Sequence, residues 1–450
     1  MKLRAAAISL ACVFAVSPAS ADELREVLAH AYSSNPSILA ARANLRIVNE
    51  NYAQARSNKM PQVSASASYG YRKTNESGSI FASDDELEPT VAQLNFGQPL
   101  YTGGRAPASM RQAKASIQSA RYSLYAETQD VIFNGVRAYT TVMTSAEVVE
   151  IRRESVRALA AQVDDTEARF DVGEVTRTDV AQARSRYSIA RANLSSAQAD
   201  FQAARASYEN VFGFPPMSLE PLPELPPMPE SEDQAQQTAI AWNPELVSIR
   251  YVEEASVHGV DVARSDIKPR ITLNGTLSRR ENLNFAGDEE EAASLTARLE
   301  IPIFSGGFER SQIRAAKYQV NRDRLRVKRG ERIILEEVTS AWSQWRAARD
   351  IVVTSEDATA AAEEALEGIQ EEVDYGLRST FEVLDTELQL RNAQIRLAQA
   401  RQQQYVAAHR LLSAMGLLTA DYLELPIAEF DPDADFNDTK RRLVSTSIEP

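Results

Sequence analysis

The chain has 450 residues, in which 63 acidic residues outnumber 49 basic ones and set a net charge of −14 at pH 7. This charge argues against nucleic acid as a partner, because like charges repel. One cysteine and three scattered histidines suggest neither a disulfide nor a metal-ligand set, so we expect no metal and no cofactor.

The N-terminus has the pattern of a secretory signal peptide. Lys2 and Arg4 precede an apolar run over 5–16, and the small residues "ASA" follow at 19–21. We therefore expect residues 1–21, with the only cysteine, to be removed on export. No later stretch is as long and apolar as a transmembrane helix, so the exported chain either stays in solution or crosses a membrane as β-strands.

The rest of the chain is an internal duplication, and this sets the domain organisation. The pair Asn-Pro recurs at an offset of 208, whereas "PLYTGG" recurs as "PIFSGG" and Gly173 as Gly376 at an offset of 203. A linker with seven prolines separates the two copies. The predicted units are a first repeat over 22–213, the linker over 214–230, a second repeat over 231–418 and a C-terminal tail over 419–450.

Each repeat is predicted to run helix, strand, strand, long helix, helix, which makes the fold mainly α with a small β part. Alternating apolar residues predict the strands, and long stretches without proline predict the helices. The last helix of each repeat has a heptad seam that is rich in alanine and typical of a closely packed coiled-coil hairpin. The predicted strands lie near 62–72, 90–101, 270–280 and 292–303; the long helices span 105–172 and 308–375, and the last helices 174–212 and 377–415.

The four predicted strands are about ten residues long, which suits a tilted crossing of a bilayer. Four strands cannot close a barrel, and lipid does not tolerate an open sheet edge. We therefore expect the chain to form a dimer or a trimer.

The order of these elements, the "LYTGG" and "IFSGG" strand ends and the sequence "GLRSTFEVLD" over 376–385 resemble the TolC family of Gram-negative outer-membrane efflux and secretion ducts. The resemblance covers essentially the whole chain after the signal peptide. It implies a homotrimer in outer-membrane lipid, with a twelve-strand barrel continuous with a twelve-helix periplasmic tunnel. It also implies two partners, a periplasmic adaptor and an inner-membrane transporter of the ABC or proton-driven type.

The resemblance further assigns roles to charged residues beside the two glycine turns. Glu382 and Asp385 would form carboxylate rings at the pore constriction. Arg378 would contact Thr178 and Asp179 to hold the tunnel closed.

The glycine turns themselves would be the periplasmic tips. By the resemblance, Gly173 and Gly376 would lie where the adaptor docks. The family's lock tyrosine falls on Val373, which is a departure, and Tyr375 is the candidate to replace it.

A passive duct needs no catalytic residues, and the sequence shows no nucleophile–base set or cofactor loop that would predict an enzyme. The expected function is the outer-membrane duct of type I protein secretion. Multidrug efflux is the alternative within the same family. A non-conducting structural coiled-coil protein of the envelope is the alternative from another class.

Overall fold

A computed structural model describes residues 23–75, 84–375, 377–428, 430–442 and 445–446. The expected signal peptide and Gly376 lie outside the described residues.

Helices dominate the described part of the chain, and six short or medium strands accompany them. The helices are α1 Leu24–Ser34, α2 Pro36–Ser57, α3 Arg105–Asp171, α4 Arg177–Phe212, α5 Glu232–Trp242, α6 Pro244–Ser265, α7 Phe308–Asp374, α8 Thr380–Met415 and α9 Pro432–Arg441. The strands are β1 Gln62–Tyr69, β2 Arg72–Asn75, β3 Asp84–Leu87, β4 Thr90–Tyr101, β5 Arg270–Glu281 and β6 Glu289–Glu300.

The helices repeat in matched lengths, which confirms the internal duplication. α1 and α5 have 11 residues, α2 and α6 have 22, α3 and α7 have 67, and α4 and α8 have 36. At a rise of 1.5 Å per residue, each 67-residue helix is about 100 Å long.

Where we expected one helix at the start of each repeat, the structure has two, and they meet at the Asn-Pro pair. A residue before proline is disfavoured in the helical conformation, and both asparagines are extended. Asn35 caps α2 by accepting a hydrogen bond from the Ser37 amide, and its Nδ2 donates to the Val211 carbonyl in the last turn of α4, at 2.9 Å.

Asn243 does the same in the second repeat. Its Oδ1 accepts from the Leu246 amide at 3.1 Å, and its Nδ2 donates to the Ala414 carbonyl at 3.0 Å. Each asparagine therefore joins two helices end to end, α2 onto α4 and α6 onto α8.

These joined helices pack side by side with the long ones. The order of neighbours is α2, α3, α6, α7 next to the sheet and α4, α3, α8, α7 towards the hairpin turns. The layer is therefore four helices wide, and α2, α4 and α7 lie at its edges.

The coiled-coil seam is confirmed. In addition, α8 packs against the first repeat, a contact that the seam did not predict. In α4 the seam alanines are all buried: Ala183, Ala190, Ala197 and Ala204. In α8, Ala407 and Leu411 pack with Trp342 of α7, whereas Tyr405 and Leu412 pack into the core formed by the first repeat. α8 is thus held between α7 and α3.

The larger sheet is antiparallel, with the order β1, β4, β5, β6, and its outer strands have one partner each among the described residues. One face is apolar along a row in which Val63, Phe96, Gly275 and Leu295 face one another in register. No helix in the described part of the chain is long and apolar enough to span a membrane.

Strand β6 begins and ends three residues earlier than the sequence predicted. The acidic run at its start pairs with β5, where Arg280 contacts Glu290 at 3.3 Å and Arg279 contacts Glu291 at 3.4 Å. These cross-strand ion pairs favour the strand conformation over a loop. A separate hairpin of β2 and β3 extends the connection between β1 and β4.

Candidate functional site at the hairpin turns

The turn between α3 and α4 is stabilised at both of its ends. Gly173 has φ +82°, a left-handed conformation that favours glycine. Its amide donates to the Phe170 carbonyl and the Glu174 amide donates to the Arg169 carbonyl, both at 2.9 Å. This pair of bonds is the Schellman pattern that ends a helix.

α4 then begins with a capping box. The Thr176 side chain accepts from the Asp179 amide, and the Asp179 carboxylate accepts from the Thr176 amide at 2.8 Å. The amide of Thr176, and then its hydroxyl, hold the pKa of Asp179 below its usual value. Asp179 thus stays ionised and is occupied by its own turn.

The turn between α7 and α8 has a similar set of hydrogen bonds and also a pair of ion pairs made by Arg378, which we call the clasp. The Leu377 amide donates to the Glu372 carbonyl at 2.8 Å, which repeats the helix-ending bond. The guanidinium of Arg378 bridges Glu372 at 2.9 Å and Glu382 at 2.8 Å. Arg378 therefore connects the last turn of α7 to the first turn of α8. The equivalent residue of the first repeat is Val175, so that turn has no such clasp.

Glu382 is the structural equivalent of Asp179. Its carboxylate accepts from the Ser379 amide at 3.0 Å, as Asp179 does from Thr176. That amide, together with Arg378, holds the pKa of Glu382 below its usual value, and Glu382 raises the pKa of Arg378. An acidic residue six positions after each turn glycine therefore has a local function first, which is to start the next helix.

The sequence carries a signal for this local role of the acidic residues. "TRTD" over 176–179 and "STFE" over 379–382 both have the spacing of a capping box, a hydroxyl residue followed three positions later by an acidic one. This spacing by itself predicts a local partner for both acidic residues.

The expected lock residues do not meet within one chain. Among the described residues, the bonds of Arg378 go to Glu372 and Glu382, and those of Asp179 go to Thr176. Thr178 is an exposed residue of the first turn of α4. Contact of Arg378 with Thr178 or Asp179 therefore stays a prediction for neighbouring copies of the chain.

Asp385 lies on α8 beside a cavity of about 320 Å³ between α3, α4 and α8. Its carboxylate accepts a hydrogen bond from Gln389 at 3.0 Å. Arg152 of α3 and Arg186 of α4 line the same cavity, as does Glu387 of α8, so two cations and a second carboxylate share it with Asp385. Burial lowers the pKa of Arg152, which donates to Asn392 at 3.3 Å.

Charged contacts also connect the two hairpins near their turns. Arg391 of α8 bonds Glu154 of α3 at 2.7 Å and Glu387 of its own helix at 3.4 Å. The guanidinium of Arg186 lies 5.7 Å from the centre of the Phe381 ring. These contacts fix the first hairpin against the second through α8.

Val373, which falls at the position of the family's lock tyrosine, and Tyr375, the candidate to replace that tyrosine, differ in exposure. Tyr375, at the end of α7, is 81% exposed, whereas Val373 is half-buried. The exposed ring of Tyr375 is available to a neighbouring chain, so its replacement of the lock tyrosine stays a prediction.

Solved structures show that this fold is that of outer-membrane channels. The structure of the Campylobacter jejuni CmeC outer membrane channel superposes with a TM-score of 0.79, covering 93% of this chain and 89% of that one at 16% identity. The paired long hairpins and the small antiparallel sheet are therefore the architecture of this class.

The sequence comparisons identify the family. The model of the family described as Outer membrane efflux protein matches residues 27–213 and 235–417, which are the two repeats. The chain belongs to this family of outer-membrane channel proteins, which are transport ducts and not enzymes. The predicted resemblance, the outer-membrane location and the non-enzymatic class are confirmed.

Three curated relatives indicate what the family includes. Outer membrane efflux protein BepC of Brucella suis biovar 1 (strain 1330) is 34% identical over 98% of this chain and 95% of its own length. Alkaline protease secretion protein AprF of Pseudomonas aeruginosa is 24% identical over 78% of this chain and 74% of its own length. Outer membrane protein TolC of Escherichia coli (strain K12) is 24% identical over 88% of this chain and 83% of its own length.

Proposed function

We propose that three copies of this chain form a closed export duct through the outer membrane into the periplasm. A periplasmic adaptor docks at the hairpin turns, and an inner-membrane transporter of the ABC or proton-driven type supplies the cargo. The three copies contribute the twelve strands and the twelve-helix tunnel expected from the family resemblance.

The observation that supports this proposal best is that the sheet and the helix layer both end in open edges. β1 and β6 each have one partner in the described part of the chain, and unpaired strand edges are not stable in lipid. The edge helix α7 also exposes apolar side chains, with Tyr318 at 73% and Leu325 at 61%. Further copies of the chain would cover both kinds of edge.

Conductance in planar bilayers tests the duct and its constriction. We expect a small cation-selective conductance from the wild-type protein, because carboxylates at Glu382 and Asp385 would surround the narrowest point. Arg378→Ser is expected to raise the conductance, and Glu382→Ala/Asp385→Ala to remove the selectivity. Well-inserted protein that conducts in no variant would instead support the structural coiled-coil alternative.

Further variants separate the clasp within a turn from the lock between chains. Glu372→Gln weakens only the clasp, so it should reproduce Arg378→Ser if the clasp keeps the duct closed. Asp179→Asn should reproduce it if the lock between chains does. Because Asp179→Asn also weakens the capping box, Thr176→Ala serves as its control.

For the cargo, we propose type I protein secretion as the main function, and the likeness to AprF, a protein named for protease secretion, supports it. Multidrug efflux is the second candidate, favoured by the higher identity with BepC, a protein named for efflux. Deleting the gene should remove a protein from the culture medium in the first case and lower the inhibitory concentrations of toxic compounds in the second. Complementation with the wild-type gene is the control for both.

A further inference from the structure

The C-terminal helix α9 covers a groove on the first repeat through its acidic side chains. Asp433 accepts a hydrogen bond from Arg121 of α3 at 2.6 Å. Asp435 accepts from Arg46 of α2 at 3.0 Å and from Asn49 at 2.8 Å. An acidic helix thus neutralises cations that two neighbouring helices present on one side.

An aromatic contact completes this groove. Phe436 of α9 packs edge-on against Tyr52 of α2, with 5.2 Å between the ring centres. Under α9, Asn49 is 0% exposed and Tyr52 is 5% exposed. The first repeat therefore shows what fits this position, a short acidic helix with one aromatic side chain.

The second repeat has the equivalent groove without a cover among the described residues. The offset of 203 relates Arg121 to Arg324, and the offset of 208 relates Asn49 to Val257. The side chain of Arg324 is 58% exposed against 11% for Arg121. Val257 is 43% exposed against 0% for Asn49.

The uncovered groove has three cations on α7, and α6 has Glu253 and Glu254 where α2 has Leu45 and Arg46. Arg324, Lys328 and Arg332 follow one another at spacings of four along α7, so they share one face of the helix. All three are exposed, and Arg324 contacts Glu253 of α6 at 3.1 Å. Among the described residues, no carboxylate forms an ion pair with Lys328 or Arg332. We call the surface of Val257, Arg324, Lys328 and Arg332 the α6–α7 groove.

This face of α7 is the one on which α5 packs further along the helix. Thr339 lies seven residues after Arg332 and eleven after Lys328, so all three lie within about 40° of helix rotation. Thr339 bonds Glu232 of α5 at 2.8 Å and Gln236 at 3.0 Å. Two acidic or polar side chains of a short helix thus already bind this face, just beyond the end of the groove.

The groove borders the surface that a second copy of the chain would cover. Tyr318 and Leu325 are apolar, which suits a packed helix edge, and they lie about 100–120° around α7 from Arg324, about 60–80° from Lys328 and about 20–40° from Arg332. Arg332 therefore lies next to that edge, whereas Arg324 and Lys328 lie further from it. The groove combines one exposed valine with three cations, which suits a helix with acidic side chains.

We propose that the α6–α7 groove binds a short acidic amphipathic helix of a separate polypeptide, in the manner that α9 binds the first repeat. Among the described residues, α9 is the only helix that follows the second repeat, and it packs on the first repeat. The linker at the corresponding place after the first repeat has seven prolines within 214–230 and leads directly into α5, so it does not supply a second such helix. The proposal rests on the internal duplication and is independent of the cargo and of the gating of the duct.

Titration of a fluorescent synthetic peptide spanning residues 430–442 into the purified full-length protein in detergent tests the proposal by fluorescence anisotropy. We expect saturable binding of one peptide per chain. Lys328→Glu should weaken this binding about tenfold, because an attraction becomes a repulsion. Arg137→Glu on α3 is the matched control, since it changes the net charge equally at an exposed position away from α7, and it should leave the binding within about twofold.

Three results would overturn the proposal. The first is the absence of saturable binding. The second is equal binding by Lys328→Glu and wild type, which would mean that the peptide exchanges with the resident α9. The third is a disulfide between chains in the double variant Lys328→Cys/Asp438→Cys, which would show that α9 of a neighbouring copy occupies the groove. A disulfide in this variant would join the introduced cysteines, because the chain's only native cysteine is Cys12, in the expected signal peptide.

Discussion

Gly416 lies at the joint where α8 meets α6, and replacing it tests how tightly the two helices are joined. Gly416 has φ +78°, and a Cβ there would lie 2.5 Å from the Trp242 carbonyl oxygen and 2.8 Å from the Asn243 Cα. The equivalent Gly213 at the end of α4 has φ +84°, with nothing within 4 Å of the same position. Gly416→Ala and Gly213→Ala therefore share the backbone strain, and only the first adds a clash.

The size of the effect follows from these contacts. The left-handed conformation costs an alanine about 1–2 kcal/mol at either position. The clash at Gly416 is with backbone atoms, which cannot rotate away, and overpacking of this kind costs about 1–3 kcal/mol more. Gly416→Ala should therefore lower the free energy of unfolding by about 1–3 kcal/mol more than Gly213→Ala.

The difference is measurable as a rate, because detergent-solubilised membrane assemblies commonly unfold irreversibly. A difference of 1–3 kcal/mol corresponds to about 5- to 150-fold in an equilibrium constant. We expect a shorter half-life at elevated temperature and a lower apparent melting temperature for Gly416→Ala than for Gly213→Ala at one scan rate. Equal half-lives for the two variants would refute the close approach of α8 and α6.

Two further predictions concern buried polar groups. Burial lowers the pKa of His409, which is 2% exposed and whose Nδ1 donates to the Tyr405 carbonyl at 2.8 Å. Above pH 6.5 the ring is neutral in both the folded and the unfolded chain. Below pH 6.5 the unfolded chain binds a proton first, so the free energy of unfolding should fall by up to about 1.4 kcal/mol per pH unit. His409→Gln should remove this component, and melting temperatures at pH 7.5 and 5.5 that shift equally in both proteins would contradict the assignment. Asn243→Ala removes a helix cap and the bond to α8, so it should cost about 2–3 kcal/mol, and Asn35→Ala should cost a similar amount. Thermal unfolding measures both, and a loss well below 1 kcal/mol in either variant would mean that the joint does not depend on its asparagine.

Much of the fold was predictable because it depends on contacts that are local or periodic in the chain. Turn glycines, Asn-Pro pairs and alanines at heptad spacing act through the backbone conformation and the face of one helix, which are properties of a short stretch. Two copies of such a pattern also predict two equivalent halves, and the structure has them.

The candidate site was only partly predictable. The positions of both turns followed from Gly173 and its repeat, but the partners of the charged residues did not. Glu372 becomes a partner of Arg378 only once the chain reverses direction between α7 and α8. The cavity beside Asp385 exists only because α8 packs against both hairpins.

The sequence alone determined the duplication, the long helices, the four strands of the larger sheet and the family. The tertiary structure decided that α8 lies between α3 and α7, that α9 covers the first repeat and not the second, and that Arg378 is occupied by its own turn. The reason is physical: periodicity shows which side of a helix is buried, but it carries no information on which distant helix buries it. That choice depends on the combined packing of residues that are hundreds of positions apart, such as Asp433 with Arg121.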